Sequence, residues 1–498
     1  MHVGWAFESA ALRHPEHPAV VAGDRVLGYA EWHRRAARLA GWMREAGAVP
    51  GARVALAMRN SEALATAYLA TQLAGATAVP LSFRLGASEL GHCLADSEAM
   101  LLLHDGSVEA ALAAVEGLPP RLHVRDLEAV IAGAPVVEPP GNDDRAASVI
   151  LYTAGTTGRP KGVPRSHRAE WAASLAHVVQ CGYAAGERTL GAMPMNHTMG
   201  IRSLLSMIAV NGLYVPVASV SDGAVPALLA EHRVTALYLV PTAYHLLLDR
   251  LDGPLPDCRK LAYAGAPMTP GLVRRCTEVF DPDVLVNHYG STEIYTFTVS
   301  PRQREKPGCA GRAGLHTRIR LVEASRERRV PPDEVVAGRP GEVIAAIDGD
   351  EAFAGYLNRP EATANAVREG WYYTGDIGRL DEDGDLWVEG RVDEMIISGG
   401  ENIYPLEVED VLAAHPEVAE VVVCGLPDDR WGQLVAAFVV PRPGAGLTAE
   451  ALERHARGHA ALAAHKRPRR TLLVRAIPKS PVGKVLRREL LAGNYELL

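Results

Sequence analysis

The stretch Tyr152-Thr153-Ala154-Gly155-Thr156-Thr157-Gly158-Arg159-Pro160-Lys161-Gly162 decides how the chain is read. It continues the apolar, β-branched run Ala147-Ser148-Val149-Ile150-Leu151, which reads as a buried strand. A strand running into a loop of glycine and threonine that ends in lysine has the composition of a phosphate site. Glycine lets backbone N–H groups approach phosphate oxygens with no Cβ in the way, threonine hydroxyls add donors, and lysine brings a compact positive charge. The spacing is not that of the G-x-x-x-x-G-K-[ST] loop, because Lys161 is followed by Gly162 and the glycines are placed differently. A surface turn of the same composition is the bland alternative, and the rest of the chain has to separate the two.

Working outward, strands at 19–21, 53–58, 77–81 and 100–103 alternate with helical patterns at 27–46, 61–74 and 87–94, with Ser61 as an N-cap. After the loop the alternation resumes, with apolar segments at 190–193, 201–210, 213–217, 224–231, 236–240 and 261–264. Repeated strand and helix units predict an α/β fold of parallel sheets covered by helices. Strands at 318–322, 341–346 and 386–391, separated by turns, predict a small β-rich subdomain over about 312–392. From 393 onward, helices at 405–414 and 449–464 and strands at 418–423, 435–440 and 470–474 predict a separate α+β domain. The predicted domains are therefore 1–392 and 393–498.

A chain of 498 residues exceeds the size at which one core keeps growing, which agrees with two domains. The net charge of −8 and pI near 6.2 describe a mildly acidic surface and give no reason to expect nucleic acid as a partner. The six cysteines are scattered, with no CxxC pair and no metal-ligand spacing, so reduced thiols in a cytoplasmic protein are expected. The start of the chain has no basic segment followed by an apolar one, so no secretory signal is read there. Two uncharged runs, 63–83 and 203–221, are interrupted by Gln72, Gly75 and Pro80 and by Asn211, Gly212 and Pro216. They are expected in the core and not in a membrane.

Six stretches together resemble one family: 153–162, Tyr289-Gly290-Ser291-Thr292-Glu293, Tyr373-Thr374-Gly375-Asp376, Gly390-Arg391-Val392-Asp393, Ser398-Gly399-Gly400-Glu401-Asn402-Ile403, and Pro478-Lys479-Ser480-Pro481-Val482-Gly483-Lys484. They resemble the adenylate-forming enzymes, which include acyl-CoA synthetases, firefly luciferase and peptide-synthetase adenylation domains. Within that superfamily the resemblance is strongest to aryl-CoA ligases of the 4-chlorobenzoate type, through Phe353-Ala354-Gly355-Tyr356-Leu357-Asn358 and Asp429-Arg430-Trp431-Gly432-Gln433.

The resemblance implies a ligase that uses ATP, Mg2+ and coenzyme A, with a C-terminal domain that rotates between two half-reactions about Asp393. A carboxylate first attacks the α-phosphate of ATP; the thiol of coenzyme A then displaces AMP. Two anions meet in the first step, so positive charge and oriented donors are required. By resemblance Lys484 bridges carboxylate and phosphate, and Glu293 is the magnesium ligand, a hard oxygen suited to that ion. His197 lies beside the substrate carboxylate. Thr153, Gly155, Thr156, Thr157, Gly158 and Lys161 hold phosphate, and Gly265, Ala266 and Pro267 lie along adenine. His288, Tyr289, Gly290, Ser291 and Thr292 complete the nucleotide site, Asp376 accepts from the ribose hydroxyls, and Arg391 reaches ribose or phosphate. Ala154 stands where the family has serine or threonine, which removes one hydroxyl donor.

Coenzyme A is assigned to Arg84, Ser398, Gly399, Gly400, Glu401, Trp431 and Arg467, the arginines pairing phosphate and the indole stacking. The run His465-Lys466-Arg467-Pro468-Arg469-Arg470 is a basic cluster in an acidic chain. The acyl wall is assigned to His197, Thr198, Met199, Tyr238, Gly265, His288, Gly290, Tyr295 and Thr296, which mixes apolar bulk with hydrogen-bonding tips and suits a flat ring carrying a hydroxyl or amino group. Arg202 follows closely in sequence; it is expected at the surface or paired with a carboxylate, and only if it points inward would it favour a second anion on the substrate. The expected activity is an ATP-dependent acid:CoA ligase for a benzoate-like or other aryl carboxylate. The alternatives are a medium-chain or dicarboxylic acyl-CoA ligase, or an enzyme that loads a carrier-protein thiol. The expected partners are small molecules, with no membrane, and a homodimer is the assembly considered.

Overall fold

The computed structural model describes residues 1–153, 159–325, 330–399, 401–459, 462–479 and 485–498. The expectations placed on Ala154, Gly155, Thr156, Thr157, Gly158, Gly400 and Lys484 fall outside these residues. By compactness the chain forms two units. One comprises Met1–Ile319, Ala345–Tyr372 and Gly384–Leu386, the other Arg320–Ile344, Tyr373–Asp383 and Trp387–Leu498.

The first unit carries a six-stranded sheet in the order Arg121–His123, Leu101–His104, Arg53–Ala57, Thr77–Leu81, Ala147–Thr153, Lys161–Ser166. Its central crossover shows how the sequence builds it. The strand Arg53–Ala57 feeds the helix Glu62–Ala74, and the chain returns in the parallel strand Thr77–Leu81, Arg53 opposite Thr77. Ser61 Oγ accepts from Leu64 N–H at 3.2 Å and caps the helix as predicted. Gly75 ends it at φ 84°, a conformation that only glycine adopts cheaply. Every residue from Leu64 to Ala74 is buried, so this uncharged run is core. Among the described residues no helix is long and apolar enough to cross a membrane.

A nine-stranded sheet follows the order Arg312–Ala313, Thr298–Ser300, Val284–Tyr289, Lys260–Ala264, Ala236–Leu239, Arg188–Gly191, Leu213–Pro216, Pro18–Ala22, Arg25–Gly28. Its middle pairs are parallel and its edge pairs antiparallel. The fold is thus α/β with largely parallel sheets. The β-rich segment is present as the strands Ile319–Val322, Gly341–Ala346, Trp371–Leu380 and Leu386–Arg391. The smaller C-terminal sheet runs Glu401–Ile403, Ile396–Ser398, Gly432–Pro441, Val418–Asp428, with Arg470–Leu473 parallel to Gly432–Pro441.

Two local expectations are corrected, and one strand appears where no element was expected. Lys161–Ser166 is a strand, antiparallel to Ala147–Thr153 with Thr153 opposite Lys161. Pro164 hides that strand in the sequence, and it is tolerated because the strand lies at the sheet edge. The helix expected over 27–46 begins at Tyr29, because Leu27 and Gly28 pair with the strand Pro18–Ala22. The helix expected over 449–464 ends at Gly458, a poor helix former, and the backbone of His459 is extended.

Candidate active site

Lys161 opens the edge strand, and its Nζ stands 4.5 Å from the centroid of the Tyr356 ring, a cation–π contact. The Tyr356 hydroxyl donates to Glu293 Oε1 at 2.5 Å. Two backbone bonds of 2.9 Å hold this segment against both motifs: Phe353 N–H donates to Glu293 O, and Leu357 N–H to Gly162 O. One tyrosine therefore ties the lysine that ends the loop to the carboxylate of the Tyr289–Glu293 motif. The motif is itself tightly turned. Ser291 Oγ accepts from Glu293 N–H at 3.2 Å and Ile294 N–H at 3.3 Å. A Cβ on Gly290 would lie 2.1 Å from Tyr295 O, so glycine is required there. Beneath it, Arg165 Nη1 donates to Thr292 O and Glu293 O at 3.2 Å each, while its Nε donates to Glu170 at 2.5 Å. Arg165 and Glu170 are fully buried, as a paired charge must be in such a place.

The acyl-wall residues gather in the same unit. Tyr238, Ala262 and His288 stand on adjacent parallel strands, with Tyr238 opposite Ala262 and Ala264 opposite His288. Tyr238 and Ala262 pack with Cys181 and Met199 in one apolar cluster. The helix His167–Gln180 delivers His177, and Cys181 lies just past its end. Cys181 Sγ is 3.4 Å from His288 Nε2 and 3.6 Å from His177 Nδ1, all three residues buried. Burial, reinforced by neighbouring positive charge, holds both imidazoles well below their ordinary pKa, so both are neutral. Burial likewise raises the Cys181 thiol, which is therefore protonated. His288, expected at the nucleotide as well as at the acyl wall, directs its side chain into this cluster.

The helix Thr198–Val210 starts at His197 and presents Met199 and Arg202. The expectation of a surface Arg202 is overturned: it is 1% exposed. Its Nη2 donates to Thr296 Oγ1 at 2.9 Å and its Nη1 to Tyr238 Oη at 3.3 Å, and it lies 3.7 Å from the buried carboxylate of Glu351. The expected carboxylate partner is present. The hydroxyl of Tyr295 donates to Glu170 at 3.0 Å, so its ring and not its tip is available to a wall. His197 keeps contact with solvent, yet the protein crowding it, and then the Arg84 guanidinium, lower its pKa. Gly265 takes φ +87°, and with Ala266 and Pro267 it forms an exposed turn after the strand Lys260–Ala264.

In the second unit, Arg391 Nη1 donates to Asp376 Oδ1 at 2.7 Å and its Nε to Asp393 Oδ1 at 3.1 Å. Burial alone would lower the Arg391 pKa; the two carboxylates hold it above the usual value. Gly375, at φ +74°, precedes Asp376, and a Cβ there would lie 2.8 Å from Arg391 Nη2. The C-terminal sheet positions Trp431, whose carbonyl accepts from Gly399 N–H at 2.9 Å. The guanidinium of Arg469 lies 4.2 Å and that of Arg430 5.0 Å from the indole centroid. Arg467 lines a cavity of about 500 Å³ together with Arg457 and Arg469. Ser398 is buried and Glu401 exposed. Arg84, in the first unit, is exposed beside Phe83.

Sequence reasoning missed Tyr356, His177, Cys181, Glu351 and the Arg165–Glu170 pair. Tyr356 lay inside a stretch already singled out. Glu351 closes Asp348-Gly349-Asp350-Glu351, which reads as an exposed acidic turn, and nothing in the spacing of His177, Cys181 and His288 indicates that they meet.

Comparison with known proteins matches residues 7–357 to the AMP-binding enzyme family and residues 407–484 to the AMP-binding enzyme C-terminal domain. Feruloyl-CoA synthase of Amycolatopsis sp. is 36% identical over 493 residues, covering 97% of both chains. 4-Chlorobenzoate–CoA ligase of Arthrobacter sp. is 33% identical over 504 residues, covering 97% of this chain and 94% of its own. O-succinylbenzoate coenzyme A synthetase of Bacillus subtilis, solved with ATP and magnesium, superposes with a TM-score of 0.84 at 28% identity, covering 97% of this chain and 98% of its own.

Proposed function

The chain belongs to the AMP-binding, adenylate-forming enzyme family and is an acid–thiol ligase, and we propose that it joins an aryl carboxylic acid to coenzyme A using ATP and Mg2+. An acid oxygen attacks the α-phosphorus of ATP and pyrophosphate leaves. The thiol sulfur of coenzyme A then bonds to the acyl carbon, AMP leaves, and the thiol proton passes to solvent. The observation that carries this reading is the link from Lys161 through Tyr356 to Glu293, which ties the end of a phosphate-type loop to a carboxylate. Glu293 fits magnesium: the tyrosine takes one oxygen and the other remains to a hard cation, which would offset phosphate charge.

In this reading Lys484 bridges the two reacting anions and His197, kept neutral, lies beside the acid. Asp376, steadied by Arg391, accepts from ribose, and Gly400 lines the thiol channel. Trp431, Arg467 and Arg84 serve coenzyme A. The division into 1–392 and 393–498 is the functional one, with Asp393 as its hinge. The names of the relatives, feruloyl and chlorobenzoate ligases, support an aryl acid. The six buried free cysteines fit a reducing compartment, so a cytoplasmic enzyme is proposed, with a homodimer to be tested by sedimentation. The test is pyrophosphate release across benzoates, cinnamates and medium-chain acids, with AMP release on adding coenzyme A. Lys484→Ala is expected to abolish adenylation and spare thioester formation from supplied acyl adenylate. Pyrophosphate release from fatty acids alone would sink the aryl assignment.

A further inference from the structure

At the base of the acyl wall, four buried polar atoms make no hydrogen bond: Arg202 Nε, both carboxylate oxygens of Glu351, and His288 Nδ1. Folded proteins rarely leave buried polar atoms unpaired, and a polar guest would satisfy these four. Thr296 Oγ1 and Tyr238 Oη each accept from one terminal nitrogen of Arg202 and fix the plane of the guanidinium, while its Nε has no acceptor. The charges limit the guest. Arg202 and Glu351 stand 3.7 Å apart and cancel, and the neighbouring His177 and His288 are neutral, so a third charge would enter without a counter-ion. The guest must also both accept, from Arg202, and donate, to Glu351. A hydroxyl does both; a halogen or methyl group does neither. Arg202 lies in the second turn of the helix that His197 precedes, so the two stand at different depths along one element.

We infer that Arg202 and Glu351, with His288, form a subsite that receives a hydroxyl on the far side of the aryl ring, so that the preferred acids are phenolic. The inference rests on the reading of this chain as an aryl acid:CoA ligase. It assigns specificity to residues that do not touch the reacting carboxylate. It also separates this enzyme from one for halogenated aryl acids, whose substrates would give the Glu351 oxygens no hydrogen-bond donor, and from one for dicarboxylic acids, whose second anion would be uncompensated.

The wild-type enzyme is tested first with matched acids: 4-hydroxycinnamate against cinnamate, 4-hydroxybenzoate against benzoate and 4-chlorobenzoate, and terephthalate as the distal carboxylate. The hydroxylated member of each pair is expected to have a kcat/KM for pyrophosphate release about 100-fold higher or more, as at sites built to hydrogen-bond a substrate hydroxyl, and terephthalate to be the poorest. Glu351→Gln and Thr296→Val are expected to reduce the hydroxyl preference about tenfold or more through the KM of the acid, with the KM of ATP unmoved. Equal use of benzoate or chlorobenzoate, as when water alone fills the place, overturns the inference and leaves the ligase reading standing; so does a preference that neither variant changes. Absence of pyrophosphate release with every acid overturns the ligase reading, and the inference with it. The wild-type comparison stands even if a variant fails to fold.

Discussion

Tyr356 joins two parts of the site that sequence motifs treat separately, and a single atom distinguishes its two contacts. Tyr356→Phe keeps the ring that faces Lys161 and removes the hydroxyl that donates to Glu293. Glu293 is buried, so losing the donor costs about 1–3 kcal/mol at that carboxylate. If the carboxylate holds magnesium, the loss appears as a roughly tenfold or larger fall in the rate of pyrophosphate release and a shift in its magnesium dependence, with the KM of the acid little changed. An unchanged magnesium titration would separate Glu293 from the metal. The residue level is also where the sequence was least legible. Motif residues could be assigned roles by their resemblance to a family, whereas Tyr356 and Glu351 contact partners more than fifty positions away, which only the fold brings together.

Elements were read more easily, for a physical reason. Apolar periodicity and caps are local, so the crossover from Arg53–Ala57 through Glu62–Ala74 to Thr77–Leu81 was visible with its Ser61 cap. The strand Lys161–Ser166 was hidden because an edge position tolerates a proline that a central strand would refuse. The helix Thr198–Val210 follows directly on His197 and carries Arg202, the residues proposed to face the acid. Its first turn packs on the preceding loop so closely that a Cβ at Gly200 would lie 2.4 Å from Pro194 O and 2.6 Å from Met193 O. Backbone cannot swing aside as a side chain can, so Gly200→Ala must move the start of the helix. The expected result is a destabilisation of about 1–3 kcal/mol by urea unfolding. A fall in kcat/KM larger for the acid than for ATP should accompany it, because the displaced groups are those assigned to the acid. An equal loss for both substrates would count against the helix as the acid-side element.

Over the whole molecule, acid should weaken the first unit in a way that its buried histidines set. His2, His167, His177 and His288 all belong to that unit and are each at most 3% exposed. Burial is the leading cause in every case: it lowers His2 to about 4 and His167 to about 2, and puts His177 and His288 well below 6.5. In the unfolded chain all four take up protons as the pH falls through about 6.5, while in the folded chain they resist. The unfolded state therefore binds more protons below that pH, and unfolding becomes easier as the pH falls. Each neutral histidine contributes stability that is full above about pH 6.5 and is lost at about 1.4 kcal/mol per pH unit below it, until its folded pKa is reached. For His2 the loss ends near pH 4. Together the four predict a fall in unfolding free energy of several kcal/mol between pH 6.5 and pH 5.5, and little change between pH 7 and pH 8 from this source. Urea unfolding of the full chain, followed at pH 8, 7, 6.5, 6 and 5.5, measures the slope. A profile as flat below pH 6.5 as above it would mean that these imidazoles protonate in the folded state, and His177 and His288 would then not be the neutral base of the acyl wall.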